Sequence, residues 1–529
     1  MRRALFLLAA AGLLTACTYT NPVLYMDISD PDAIAVDGTY WMTASSFNCR
    51  PGLLIYSSTD LVNWRVVNSA LPNGLEYQYD TTDSCPFPDG YSTEAHRSTQ
   101  HGNGVWAPSI RFHDGIWWIF WGDPDYGIYQ VHTKDPLGEW SKPHCVIRAK
   151  GMIDPCPLWD DDGRVWLVHA WAKSRCGFKS IISLCELNSD CTACISSQTT
   201  IFDGNANGNE TVEGPKFYKR NGKYIILAPA GGVKTGWQLM LLADSPSGPY
   251  EWRTVMHQDV TARGPMLQSV PDNGSPGGIV TFGPHQGAWI DDPSGASWFL
   301  HFEDRYAYGR VLHLQPMEWL DDGFCIIGED CDSDGIGEPV LRHRVPSRRK
   351  GADGPRASDP GDIHQYQGIP VSGEKRPERL WDDPNLQLCM LEGPSMRYDL
   401  PSELVSRVLD GNTVGLLVLG DDYSSIEISR DSLGVFLRRR SCSSAFKGGT
   451  EYLHDTLRIP HSDLSSLQLR ICVDEVKNHP EKIYDRRDTY IALCRFEYSL
   501  GTSPGLALGP EFIAAPGRWI GARVGAYVR

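Results

Sequence analysis

A chain of 529 residues, 41% hydrophobic and 22% charged, has the composition of a folded protein and exceeds the length of one ordinary domain. Its formal net charge of −16 excludes nucleic acid as the natural partner, because phosphates are repelled by an acidic surface. A neutral polymer feels no such field, and the 17 Trp and 22 Tyr supply flat faces that suit sugar rings as well as cores.

At the N-terminus, Arg2 and Arg3 precede an apolar run over residues 4–14 and small residues before Cys17, the layout of a secretory signal peptide spanning residues 1–17. The run is too short to cross a bilayer as a helix, and no other stretch qualifies, so a secreted protein without a transmembrane segment is expected. LTAC, residues 14–17, also matches a bacterial lipobox, which makes a lipid anchor through Cys17 the alternative. Fifteen cysteines suit an oxidising compartment. Cys185, Cys191 and Cys194 lack a second Cys-x-x-Cys pair or histidines at metal spacing, and are read as local disulfides.

The next 300 residues repeat one pattern: a Pro-containing turn, a short apolar stretch, usually an Asp-Gly or Asn-Gly turn, then an aromatic-rich alternating run. It occurs as DPDAIAVDGTYWMTAS (residues 30–45), APSIRFHDGIWWIFWG (107–122), DPCPLWDDDGRVWLVHAW (154–171), GPKFYKRNGKYIILAPAG (214–231) and GPHQGAWIDDPSGASWFLHF (283–302). Such turns between alternating runs mark antiparallel hairpins. Further strand-like pieces between the units bring each to four strands. A four-stranded sheet cannot bury both faces alone, whereas copies stacked around an axis can. The fold class is therefore all-β, with a five-bladed β-propeller over residues 18–342. The competing architecture is a sandwich with coincidentally similar hairpins. Residues 343–378, rich in Pro, Gly, Arg and Asp, read as a linker. Residues 379–529 recover alternation and read as a second all-β domain, a β-sandwich.

In a propeller, residues at the same position of different blades become neighbours at the axis. Asp30 and Asp154 each precede Pro at a blade start, and Glu213 precedes Gly214-Pro215 at another. Taken singly, Asp before Pro is a common turn residue, and Glu213 could be an exposed loop residue. Together they would form a cluster of like charges in which one carboxyl keeps its proton while another is ionised. Glycoside hydrolysis needs such a pair. His285, in the matching slot of the fifth unit, is either a hydrogen-bonded structural residue or a metal ligand. Arg310 is either a carboxylate or substrate partner or an ordinary salt bridge.

Residues 29–64, 101–131, 152–175, 213–238 and 282–289, with the motifs SDPD, HGNGVWAPS, MIDP, EGPK and FGPHQGAW, closely resemble glycoside hydrolase family 43, in its β-xylosidase and α-L-arabinofuranosidase branch. The resemblance implies a five-bladed propeller and an inverting, exo-acting hydrolase that releases xylose or arabinose from pentose oligosaccharides or polysaccharides. It implies Asp30 as general base, Glu213 as general acid and Asp154 as the residue that tunes the acid. Arg310, Trp106 and Phe47 would bind substrate, and His285 would hold a calcium ion in the channel. Acid and base of an inverting pair stand roughly 6.5–9.5 Å apart.

LWDDPNLQL and VGLLVLGDDYSSIEI (residues 380–388 and 414–428) look like parts of the concanavalin-like sandwich that often follows in this branch and lends an aromatic to close the pocket. The usual opening of that sandwich is not recognisable in residues 343–379, so the sequence leaves open whether this copy closes the pocket. Arg50 replaces the aromatic usual in the SFN-x-x-PG loop, which would weaken stacking on the terminal sugar. Residues 84–100 and 263–281 look like added loops. DCDSDGIGE (residues 330–338) resembles half a calcium loop, but Leu341 falls where glutamate is needed, so it reads as an acidic turn. A non-catalytic sugar-binding propeller is the alternative function, although binding alone has no use for a matched acid and base. A retaining fructosidase would need its own motifs, which are absent.

Overall fold

The Asp-Gly and Asn-Gly pairs close hairpins. Asp37-Gly38, Asp114-Gly115 and Asn221-Gly222 each place two consecutive residues at positive φ (50° and 80°, 49° and 76°, 51° and 78°). This is the type I′ turn, whose twist matches that of antiparallel strands. In the computed structural model, residues 18–75, 101–233, 236–257, 283–331, 333–348, 355, 358–368, 377–477 and 490–529 are described. The segment of the expected signal peptide, with Cys17, and both expected added loops lie outside them.

Five four-stranded antiparallel sheets follow one another along the chain, each a simple meander. Their first strands are Asp32–Val36, Trp106–His113, Met152–Trp159, Lys216–Arg220 and Gly287–Asp291. The sheets are numbered I to V here. Apolar side chains join each to the next: Trp41 and Ile55 of I meet Ile119 and Val131 of II, and Phe120 of II meets Leu167 of III. Val168 of III meets Ile226 of IV, and Met240 of IV meets Phe299 and Met317 of V. Leu300, Leu312 and Leu314 of V then pack on Tyr40 and Met42 of I, so the fifth sheet packs against the first. Thr18–Thr20 pairs with Arg342–Arg344, joining the two ends of this region.

Beyond it, two sheets enclose an apolar core that includes Leu416, Ile426, Leu469 and Phe496 and extends onto Ala307, Tyr308 and Val311 of sheet V. One contains Val414–Leu419, Tyr423–Asp431, Gly434–Cys442 and Arg523–Val528, and the other is built on the long pair Leu467–Lys477 and Tyr490–Leu500. The segment expected as a linker is not wholly irregular. Gln365–Gln367 forms a strand between Gln387–Met390 and Cys49–Arg50, so the larger C-terminal sheet continues onto a loop of sheet I. A three-residue strand is too short to show periodicity.

The thirteen described cysteines are free thiols. The local disulfides expected around Cys185, Cys191 and Cys194 are not formed: Cys191 is packed in the core, while the thiols of Cys185 and Cys194 hydrogen-bond to each other.

Candidate active site

The same backbone kink begins four of the sheets. The residue before proline has φ 53° at Asp30, 30° at Ala107, 57° at Asp154 and 57° at Gly214. Residues before proline normally stay extended, and positive φ strains any residue with a Cβ, though Asp tolerates it better than most. Repetition of this strained turn places Asp30 and Asp154 at equivalent sites of sheets I and III. In sheet IV a glycine takes the kink and the acid stands one residue earlier, as Glu213. A Cβ on Gly214 would lie 2.4 Å from Cγ of Gln286, so the close approach also requires glycine.

Asp30, Asp154 and Glu213 line one cavity with Gln286 and Arg310. Arg310 Nη1 donates to both Asp30 oxygens at 3.1 and 3.2 Å, and the Ser45 hydroxyl donates to Asp30 Oδ2 at 2.5 Å. Ser45 Oγ in turn accepts the Ala107 N–H at 2.7 Å, tying the Asp30 carboxylate to the kink of sheet II. The Arg310 backbone N–H donates to Asp27 at 3.0 Å, which fixes where the guanidinium begins.

Asp154 Oδ2 accepts the Gly214 N–H at 2.7 Å and the Gln286 amide at 3.3 Å. Burial, then the charges of Glu213 and Asp30, raise the Asp154 carboxyl well above the usual carboxylate range, against the Gly214 N–H and Lys216. Burial and then the Asp30 charge push Glu213 up to about 7, against the opposing pull of Arg310 and Lys179. A cavity with one carboxyl group bound to a guanidinium and a second that keeps its proton near neutrality can donate a proton and accept another in one step.

Apolar faces complete the cavity: Phe47, Trp106, Ile153, Val233 and Trp519. Trp106 is oriented by its Nε1–H to the Gly102 carbonyl at 2.8 Å and by the Arg175 guanidinium over its ring at 5.7 Å. Trp519 meets it edge-on, with ring centroids 6.1 Å apart.

Residues 19–325 match the family described as Glycosyl hydrolases family 43. The chain belongs to glycosyl hydrolase family 43. It is 36% identical to a putative beta-xylosidase of Xylanibacter ruminicola over 77% of this chain and 70% of that one. It is 30% identical to a beta-xylosidase of Formosa agariphila over 65% of this chain but only 56% of the relative. The fold resembles that of a xylan beta-1,4-xylosidase from Bacillus halodurans C-125, with a TM-score of 0.71, 20% identity, and 96% of each chain covered. As a member of family 43, the protein is a glycoside hydrolase.

The expected site residues fall into two groups. Asp30, Asp154, Glu213, Arg310, Trp106 and Phe47 all face the family 43 cavity. His285 lies behind it, 1% exposed, with Nε2 3.6 Å from Glu213 Oε1. Its imidazole is held well below its ordinary pKa by burial, then by Arg310 and His301, and is neutral. Arg50 does not line the cavity: it pairs with Tyr366 in a short strand and donates to Asn73 at 3.2 Å. Asp330 accepts the N–H groups of Asp334 and Gly335, as a bent acidic turn does.

Trp519 was not found from the sequence. Its φ of 66° and the turn after Pro516-Gly517 project it from the C-terminal domain into the cavity. The Ala522 N–H donates to the Ala307 carbonyl at 2.7 Å, and Gly521 packs so closely on Tyr308 and Gly309 that a Cβ there would sit 2.8 Å from Gly309 N. The loop bearing Trp519 is thus pinned to the loop that precedes Arg310. The one available signal was a lone tryptophan after a Pro-Gly turn, far from every family motif.

Proposed function

We propose that sheets I to V form a five-bladed β-propeller whose axial cavity is the active site of an inverting, exo-acting hydrolase. It would release xylose or arabinose from the ends of pentose oligosaccharides. The cyclic packing of the five sheets supports the propeller reading. The observation that carries the catalytic reading is the meeting of three carboxyl groups from sheets I, III and IV in one cavity with an aromatic wall.

In this mechanism Glu213, protonated near neutral pH, gives its proton to the leaving glycosidic oxygen. Asp30, with its charge paired to Arg310, removes a proton from the water that attacks the anomeric carbon. Asp154, whose own carboxyl is raised beside Glu213, competes with it for a proton and, through the Gly214 N–H, fixes the turn that carries it. Inversion follows if water has room between Asp30 and the sugar. Trp519 and Trp106 wall a pocket suited to a single terminal sugar, which favours cleavage from chain ends. Both relatives named above are described as beta-xylosidases, one of them putatively, and xylopyranose and arabinofuranose present similar hydroxyl arrangements to so small a site.

His285 fits one ligand position of a divalent ion, since its buried imidazole is neutral and neither ring nitrogen has a hydrogen-bond partner. Calcium bound there would take most of its ligands from water and supply positive charge beside Glu213. Slower turnover with a chelator, restored by added calcium, supports this ion, and indifference to both removes it. We also propose that residues 1–17 direct export. Among the described residues no helix is long and apolar enough to cross a membrane.

Initial rates on nitrophenyl β-xyloside and nitrophenyl α-L-arabinofuranoside test the proposal. Wild-type activity on at least one substrate, abolished in Asp30→Ala, supports it, and a nearly wild-type Asp30→Ala enzyme excludes Asp30 as the base.

A further inference from the structure

A second polar cluster lies inside sheet V and plays no part in the mechanism above. The antiparallel pairing of Ser297–Asp304 with Arg310–Trp319 sets His301 directly opposite His313. Glu303, two residues beyond His301, shares their face because side chains alternate along a strand. All three residues are completely buried, and one donor atom from each lies within 4.8 Å of the others. His313 Nδ1 is 3.5 Å from Glu303 Oε1, too long for a good hydrogen bond. Neither Glu303 oxygen and neither His313 nitrogen has a hydrogen-bond partner. Four such buried atoms require explanation, since buried polar groups are almost always satisfied.

The third member is oriented as a ligand would be. His301 Nδ1 lies 3.2 Å from the Phe302 carbonyl, the backbone contact that fixes the tautomer of many metal-bound histidines. That leaves the Nε2 lone pair available. It faces the amide nitrogen of Gln315 at 3.2 Å, while Gln315 Oε1 is occupied by the Val340 N–H. An ion here would take that lone pair from one long hydrogen bond.

We propose that His301, Glu303 and His313 form a structural site for a divalent ion of the zinc class, separate from His285, which is not part of the cluster. Two imidazoles and one carboxylate suit zinc and its transition-metal neighbours, whereas calcium demands six or more oxygens. Donors bound tetrahedrally at about 2.1 Å stand about 3.4 Å apart, close to the observed separation of His313 Nδ1 and Glu303 Oε1. Complete burial gives substrate no access, so the ion would brace the two central strands of sheet V below Arg310. The competing arrangement is metal-free, with Glu303 keeping its proton because burial pushes its carboxyl up to about 8 against the pull of the Arg305 charge.

The test uses the full-length protein, dialysed against a chelator, equilibrated with zinc chloride or cobalt chloride, and freed of unbound ion by gel filtration. About one equivalent of zinc per chain, retained in His285→Gln but at least fivefold lower in His313→Gln and Glu303→Gln, supports the site. Because the chain carries many thiols, cobalt identifies the donors: visible bands of a nitrogen and oxygen site without thiolate charge-transfer absorption support it. Wild-type protein that retains no ion, variants that retain as much as wild type, or a thiolate-dominated cobalt spectrum would each overturn it. The wild-type cobalt spectrum decides the question even if both variants fail to fold.

Discussion

Asp154 accepts the backbone N–H of Gly214 at 2.7 Å, so the carboxylate of sheet III is clamped to the residue that follows the acid of sheet IV. Position and charge are therefore separable. Asparagine can still accept that N–H through its amide oxygen, but alanine cannot. Asp154→Ala is expected to lose on the order of tenfold more in kcat than Asp154→Asn, with KM little changed in either. Steady-state kinetics on one xyloside checks this, and equal losses would show that the clamp is unimportant.

For Glu213, the leaving group is the informative variable. A general acid contributes about 10²–10⁴-fold where the departing oxygen needs a proton. Glu213→Gln should lose that much on xylobiose and far less on an activated dinitrophenyl xyloside. Equal losses on both would remove the acid role.

The pH profile carries a definite sign. Glu213 must be protonated to act, so kcat/KM should fall as pH rises through about 7. The Arg310 charge pulls that carboxyl down, so Arg310→Gln should move the basic limb to higher pH even as the overall rate drops. Stability follows the same proton. The folded carboxyl holds it more tightly than an ordinary glutamate, whose pKa is about 4.5, so wild-type protein loses stability as pH climbs from about 4.5 to about 7. Glu213→Gln escapes this loss. It should be more stable than wild type above pH 7, by at most about 3 kcal/mol, with the gain vanishing toward pH 4 in thermal melts.

How much of this was legible in the sequence depended on locality. The hairpins of sheets I, II and IV could be read because their Asp-Gly and Asn-Gly turns and alternating runs are short-range signals. Asp30 and Asp154 could be matched because both precede proline, although the left-handed kink that makes those positions equivalent appears only in the backbone. Ser45, which bridges Asp30 to sheet II, carries no local mark. Trp519 reaches the cavity through a loop docked on Ala307, a contact across 215 residues that no periodicity encodes. Pocket closure by the C-terminal domain, left open by its degenerate opening, therefore has a candidate in Trp519.

Trp519 is more than half exposed, and its left-handed backbone suits glycine. Trp519→Gly should raise KM for xylobiose about tenfold, the loss of one stacking face. The thermal midpoint should shift by no more than a few degrees. A variant with unchanged KM would show that the tryptophan does not meet the sugar.

Proton NMR of the first sugar released from a β-xyloside by wild-type enzyme tests the assignment of Asp30 and Glu213 as base and acid most directly. Water activated by Asp30 on the face opposite the leaving group gives α-xylose before mutarotation, and that is the expected result. Initial release of β-xylose would mean that a carboxylate had attacked the sugar itself, contradicting the roles given to both residues.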